Sequence, residues 1–353
     1  MTARPPLRHN ARVTESSSSD PAAEPRSIRW GIVGPGRIAA KVVGDFVHVP
    51  DAEATAVASR SLDRAQAFAT THGVPRAYGS YGEIVADPDI DVLYIATPHP
   101  QHHAIAMAAI EAGKALLVEK SFTATTAGAR EIVNAARANG VFVMEAMWTR
   151  FQPVIVRARE LIADGAIGEV RAVQADLGVG REVDPTDRLF DPAQGGGAML
   201  DLGVYVVSFT QMLLGTPTSV AARGSLASTG VDQEAGLLLG YDDGRSGALT
   251  ISIRNQSPGS ARIFGTAGWI DVVPRFHHPT TIVVSRTGHD PETINLPPTG
   301  GGYSHELIEV TDSLLAGRTE SAVMPLQDTL DVQAILEQGA RLLGVAYAED
   351  TSQ

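Results

Sequence analysis

From Ile28 onward, short apolar runs alternate with longer stretches whose apolar positions recur at helical spacing. The runs at 28–33, 54–59, 92–96, 115–119 and 141–144 read as strands. The stretches near 36–47, 62–72, 101–112 and 125–139 read as helices. Strands that are apolar throughout, rather than alternating, are buried on both faces, and helices between them imply a parallel sheet. The pattern therefore predicts a doubly wound α/β domain of five strands over 27–147.

After Met147 the texture changes. A helix is predicted over 152–163 and a strand over 170–177. Gly195-Gly196-Gly197 precedes a helix that runs to about Leu214. Strand-like runs follow at 219–228, 235–241, 246–253, 261–264, 269–273 and 280–284, separated by turn sequences such as Asp242-Asp243-Gly244. Helices near 303–316 and 326–346 close the chain. Consecutive strands after a helix predict an α+β domain with a large, mostly antiparallel open sheet over 148–353. Residues 1–26 are rich in Pro, Ser, Arg and Ala and lack an apolar stretch. They are expected to form a disordered tail, with a transit peptide as the alternative.

Composition narrows the function. The net charge of −12 opposes nucleic-acid binding, which needs a basic face. The chain has no cysteine, so disulfides, thiolate metal sites and thiol nucleophiles are excluded. This is compatible with a reducing compartment, and a cytoplasmic location is expected. No apolar run reaches the roughly 18 residues of a membrane span, so no membrane partner is expected.

Of the 28 lysines and arginines, only Lys41, Lys114 and Lys120 are lysines. Lys120 ends the apolar run Ala115-Leu116-Leu117-Val118-Glu119. A chain that uses Arg nearly everywhere has Lys at the carboxyl end of a predicted buried strand, where open α/β sheets bind ligands. A surface lysine just past a strand is the plain alternative.

Gly34-Pro35-Gly36-Arg37-Ile38-Ala39 follows the first strand and opens the first helix. It fits G-x-G-x-x-G/A through Gly34, Gly36 and Ala39, a dinucleotide loop that presents a helix amino terminus to a pyrophosphate. A tight turn without a ligand is the alternative. The second strand ends in Ser59-Arg60, where NAD sites usually carry an acid. A guanidinium can pair with a 2′-phosphate, so NADP is expected in preference to NAD; an incidental Arg at a helix start is the alternative. The strand at 92–96 leads into Thr97-Pro98-His99-Pro100-Gln101-His102-His103. No acid or thiol completes a four-ligand set there, so no metal is expected.

Asp201 and Tyr205 are four apart in an otherwise apolar helix and are expected to share one face. With Lys120 they form a proton-transfer set. A phenol is a poor base at neutral pH, and a neighbouring ammonium lowers its pKa. Tyr205 assisted by Lys120 could take the hydroxyl proton of a carbinol during hydride transfer. A helix cap plus a core tyrosine is the alternative. At the predicted domain junction, Trp148, Arg150 and Phe151 suggest a lined cleft or ordinary interdomain packing.

These residues resemble the glucose–fructose oxidoreductase / inositol dehydrogenase (Gfo/Idh/MocA) family over essentially the whole chain after the tail. The resemblance rests on Gly34–Ala39, Thr97–His102, Glu119-Lys120 and Asp201–Tyr205. Met144–Phe151 is similar to the subgroup of dimeric dihydrodiol dehydrogenases and NADP-dependent D-xylose dehydrogenases. The resemblance implies a Lys120–Tyr205 catalytic pair, with Asp201 and Trp148 near a sugar-like or vicinal-diol substrate. It implies a cofactor surface drawn from the glycine loop with Arg37 and Ile38, from Ser59 and Arg60, from Ala96, Thr97, Pro98, His99 and His102, and from Glu119 and Lys120. It also implies a homodimer or homotetramer built through the C-terminal sheet. One position departs: the family usually has Pro where this chain has Ser121. A non-catalytic NADP-binding sensor of the same fold is the competing class, and it would need no proton shuttle.

Overall fold

The computed structural model describes residues 27–350, so the expected tail at 1–26 lies outside the described residues. The first sheet contains β1 (Ile28–Val33), β2 (Ala52–Ala58), β3 (Arg76–Tyr78), β4 (Val92–Ile95), β5 (Ala115–Glu119) and β6 (Val143–Ala146). All its pairings are parallel, in the order β3-β2-β1-β4-β5-β6. Every residue of β4, β5 and β6 is buried, which is why these strands read as unbroken apolar runs. Strand order reverses between β1 and β4, and such a switch point opens a ligand crevice at the strands' carboxyl ends.

The pattern predicted five strands here, and the structure has six. The additional one, β3, is three half-buried residues, too short to produce periodicity. A short helix, Tyr81–Ala86, was also not predicted; it is fixed by a capping box between Ser80 and Glu83.

The second sheet contains β7 (Val170–Gly178), β8 (Ser219–Leu226), β9 (Asp232–Gly240), β10 (Ser246–Ser252), β11 (Ala261–Gly265), β12 (Gly268–Val272), β13 (Thr281–Arg286) and β14 (Glu292–Asn295). Their order is β14-β13-β12-β11-β7-β10-β9-β8. Only β7 and β10 pair in parallel. In β9, Ala235, Leu237 and Leu239 are buried while Leu238 is 62% exposed, so one face packs inward and the other is open. The helices Val204–Leu214 and Leu326–Leu342 cover the inner face.

One apolar cluster runs from Trp30, Tyr94 and Met144 of the first sheet, through Trp148 and Phe151, to Leu237 and Ile263 of the second. The second domain is therefore the cover for one face of the first sheet, and the cleft between them is framed by packed core. By length and composition the helical run Pro192–Leu214 could cross a membrane, but 83% of its most apolar window is buried inside the protein.

Candidate active site

The glycine loop after β1 behaves as its sequence requires. Gly34 has φ +90°, and a Cβ there would lie 3.0 Å from the Thr97 methyl, so the turn needs glycine. Gly36 caps the helix Arg37–Asp45 without any side-chain hydrogen bond, and a Cβ there would meet nothing within 4 Å. Gly36 and Arg37 are exposed and line the cleft, so the helix start opens to it, a setting suited to a phosphate. Ala39 is fully buried and lets the helix lie close to the sheet.

A cleft of about 400 Å³ starts at this loop. Gly36, Arg37 and Ile38 line one end, and Ala96, Thr97, Pro98, His99, Glu119 and Lys120 line the strand-end wall. Trp148, Asp201 and Tyr205 line the far wall. A larger apolar groove lies on the open face of the second sheet, away from these groups.

Lys120 is the hub of the far end. Its Nζ donates to the main-chain oxygen of Asp201 at 2.9 Å and lies 3.4 Å from Asp201 Oδ1. It also stands over the Tyr205 ring, 4.7 Å from the centroid. Burial alone would lower the ammonium's pKa, but Asp201, Tyr205 and Glu119 raise it to about 12. Burial alone would raise the Asp201 carboxyl; Lys120 and Arg188, the latter 3.1 Å away, hold it well below the usual carboxylate range.

Asp201 was expected on the same α-helical face as Tyr205. Met199–Gly203 is instead wound as a π-turn that leads into Val204–Leu214. A π-turn interrupts the regular i to i−4 ladder, and two carbonyls in it serve other groups. That of Asp201 accepts from Lys120, and that of Leu200 accepts from Ser121 Oγ at 2.8 Å. Ser121, the odd residue of the sequence, thus ties the Lys120 turn directly to the π-turn. The Lys120–Ser121 peptide bond is cis.

Tyr205 was expected to sit near its ionised form beside Lys120. In this structure burial raises its pKa, and Lys120 only partly offsets that. Trp148, beside the phenol, acts in the same direction as Lys120. Trp148 also stacks on Tyr303, with ring centroids 4.3 Å apart and planes 2° from parallel. His277 lies 5.0 Å from the Tyr205 ring centre, and burial pushes its pKa down.

Several predicted positions lie elsewhere. Arg150 does not line the cleft. It is 1% exposed and bonded to Asp328 at 2.5 Å and to Gln211 at 2.7 Å, binding helices of the second domain together. Phe151 is core. His102 is fully buried away from the cleft; its ring nitrogens lie 2.7 Å from the Thr97 oxygen and 3.1 Å from that of Ser121. It is a strut between two cleft-lining loops, with its pKa lowered to about 4, mainly by burial. Ser59 is buried, and its Oγ accepts from the Ser61 N–H at 3.3 Å. Arg60 is exposed just past the end of β2, where its charge acts on the Tyr81 phenol.

The sequence reading missed Arg188, Tyr303 and Glu306, all of which line the cleft, and His277 and His278 beside it. Arg188 lies in the irregular segment between β7 and the π-turn, where periodicity carries no signal. No group of three His, Cys, Asp or Glu able to hold a metal occurs among the described residues.

Comparison with known proteins agrees with this architecture. Residues 28–147 match the oxidoreductase family model with an NAD-binding Rossmann fold, and residues 155–271 match a GFO/IDH/MocA C-terminal domain. Trans-1,2-dihydrobenzene-1,2-diol dehydrogenases from Macaca fascicularis and Homo sapiens are each 38% identical over 336 residues. Those alignments cover 92% of this chain and 99% of each relative. An aldose–aldose oxidoreductase from Caulobacter crescentus, complexed with glycerol, has the same fold with a TM-score of 0.83 at 24% identity, covering 90% of this chain and 98% of that one. A 3-ketoreductase from Actinomadura kijaniata, in complex with NADP and TDP-benzene, aligns with a TM-score of 0.79 at 23% identity, covering 92% and 99%.

Proposed function

The chain belongs to the GFO/IDH/MocA oxidoreductase family, and from that premise we propose that it transfers a hydride between NADP and a CH–OH group of a sugar-like or cyclic vicinal diol. The observation that carries the reading is the convergence of Lys120, Asp201, Trp148 and Tyr205 at one end of a cleft whose other end is a dinucleotide loop. The open helix terminus at Gly36 and the strained turn at Gly34 fit a pyrophosphate.

Bound NADP supplies the hydride acceptor, or the donor in reverse. Tyr205 takes the carbinol proton on its hydroxyl oxygen as oxidation proceeds and returns it in reduction. Lys120 and Trp148 stabilise the negative charge that Tyr205 carries before it accepts that proton. Asp201, ionised and anchored by Lys120 and Arg188, orients a substrate hydroxyl. The stacked pair Trp148 and Tyr303 offers an apolar wall to a ring face. The diol substrates named for the 38%-identical relatives support a vicinal diol. Arg60, exposed at the end of β2 with no acid in its place, supports NADP over NAD. The open face of the second sheet, with Leu238 and Trp269 exposed, supports assembly into a dimer or tetramer through that sheet.

The test is absorbance at the reduced-nicotinamide band with NADP or NAD and a panel of D-xylose, D-glucose, inositols and cyclic trans-diols. Turnover on at least one diol with NADP is expected. Tight NADP binding without turnover on any of them would favour a non-catalytic sensor.

A further inference from the structure

Among the described residues, Glu306 is the one acid lining the cleft with a buried oxygen that no partner satisfies. It projects from the helix Ser304–Leu315, is 1% exposed, and its Oε2 has no hydrogen-bond partner. The other charged groups at the reacting end are engaged. Lys120 and Arg188 are both bonded to Asp201. Glu119 accepts from the Tyr94 hydroxyl at 2.5 Å and from the Lys120 N–H at 3.2 Å. The charged groups that act on Glu306 are themselves acids, Glu119 and Asp45. Asp45 is committed to capping the same helix, accepting from the N–H groups of Gly301 and Tyr303 at 2.7 Å and of Ser304 at 3.1 Å. Burial first, and these two acids second, push the Glu306 pKa well up, which favours its protonated form.

A buried acid left unbonded costs stability, and such groups concentrate where a ligand completes them. The other orphaned atom in the cleft lining is Thr97 Oγ1, which sits against the Gly34 turn and so belongs to the phosphate end. Glu306 acts electrostatically on Tyr303, which stacks on Trp148, and on Glu119 beside Lys120, and so belongs to the reacting end.

A protonated carboxyl presents one O–H donor and one carbonyl acceptor side by side. Its natural complement is a primary carboxamide, which presents one acceptor and one N–H donor at matching spacing. Nicotinamide carries that group on the ring carbon next to C4, the carbon that must face Lys120 and Tyr205. Resting on the NADP reading above, we infer that Glu306, with its unpartnered oxygen in the cleft, receives the nicotinamide carboxamide and thereby fixes the rotation of the ring. Glu306 is thus a positioning residue that selects for the amide.

The test is calorimetric binding to the full chain, without substrate, of NADP and of its 3-acetylpyridine analogue, in which methyl replaces the amide NH2. Wild-type protein should bind NADP about tenfold more tightly, the effect of one buried hydrogen bond. E306M should bind both equally, and its Tm without cofactor should rise, because the unsatisfied acid is gone. E306Q offers the same donor and acceptor and should keep the preference. Retained preference in E306M, a lowered Tm in E306M, or lost preference in E306Q would each overturn the inference. Equal and tight wild-type binding of both cofactors would overturn it while leaving the NADP reading intact. Binding of neither would overturn the NADP reading and this inference together.

Discussion

The Lys120 ammonium lies over the face of the Tyr205 ring, 4.7 Å from its centre, and spends its hydrogen bonds on the main-chain oxygen and the carboxylate of Asp201. Lys120 therefore acts on the phenol through its charge, while its position is set by the π-turn. Replacing it by methionine removes the charge and keeps much of the volume. Lys120→Met should lower kcat by about 10²- to 10⁴-fold, the usual contribution of proton-transfer catalysis, with the NADP Kd little changed. Lys120→Arg should not restore the rate, because a planar fork cannot replace a compact ammonium there. Steady-state kinetics beside calorimetric binding separate the two effects.

The raised pKa of Tyr205 predicts a directional pH profile. Below its pKa the phenol holds its proton, so it is ready to donate in carbonyl reduction. The kcat for reduction should stay level through neutral pH and fall only in the alkaline range. The kcat for oxidation needs the ionised form and should climb as pH rises over the same range. Opposite slopes in the two directions are the expected result, and matching slopes would assign the titration to another group.

Cofactor choice should depend on Arg60, which is exposed at the end of β2. Arg60→Ala should weaken NADP binding by about 10- to 100-fold, as expected for a charge-assisted hydrogen bond to phosphate, and leave NAD binding nearly unchanged. The ratio of the two Kd values reads this directly.

Much of the architecture is legible in the sequence because burial leaves a mark. Strands β4, β5 and β6 are enclosed on both faces and appear as unbroken apolar runs. The glycine loop is legible because Gly34 has a conformation that few other residues adopt. What stays hidden has physical reasons. Three-residue β3 and the edge strand β14, Glu-Thr-Ile-Asn, are too short or too polar to show a period. The helix Tyr81–Ala86 did leave a signature, since Ser80-Tyr81-Gly82-Glu83 has the capping-box spacing. Arg188 and Glu306 reach the cleft from distant segments, and no local pattern announces such a meeting. Arg150 looked like a cleft residue because charge at a domain junction has the same appearance whether it faces a ligand or a carboxylate of a neighbouring helix.

That buried arrangement yields its own prediction. Arg150→Ala leaves Asp328 without its cation and removes the bond to Gln211. Stability should fall by about 1–3 kcal/mol, the usual cost of leaving a buried hydrogen-bonding group unpaired, because Gln211 is buried while the Asp328 side chain is 27% exposed and reaches water. Chemical denaturation measures this, and NADP affinity of the remaining folded protein should be unchanged.

Glu145 should make stability fall as pH rises. It is 1% exposed, and burial first raises its pKa to about 7. An unfolded glutamate titrates near 4.3, so between roughly pH 4.5 and 7 the native state binds more protons than the unfolded one. Stability is then highest below that window and declines through it, by up to about 3 kcal/mol for this group. Glu145→Gln keeps an acceptor for the Phe122 N–H and should flatten the decline, raising stability at pH 8 relative to wild type. Tm as a function of pH for the two proteins decides it.

The central claim is that Tyr205 moves the proton while a bound nicotinamide moves the hydride. Its most direct test is Tyr205→Phe, with kcat on the best diol of the panel measured beside the calorimetric Kd for NADP. The account predicts a fall in kcat of about 10²- to 10⁴-fold with an unchanged Kd. Turnover close to wild type would contradict it.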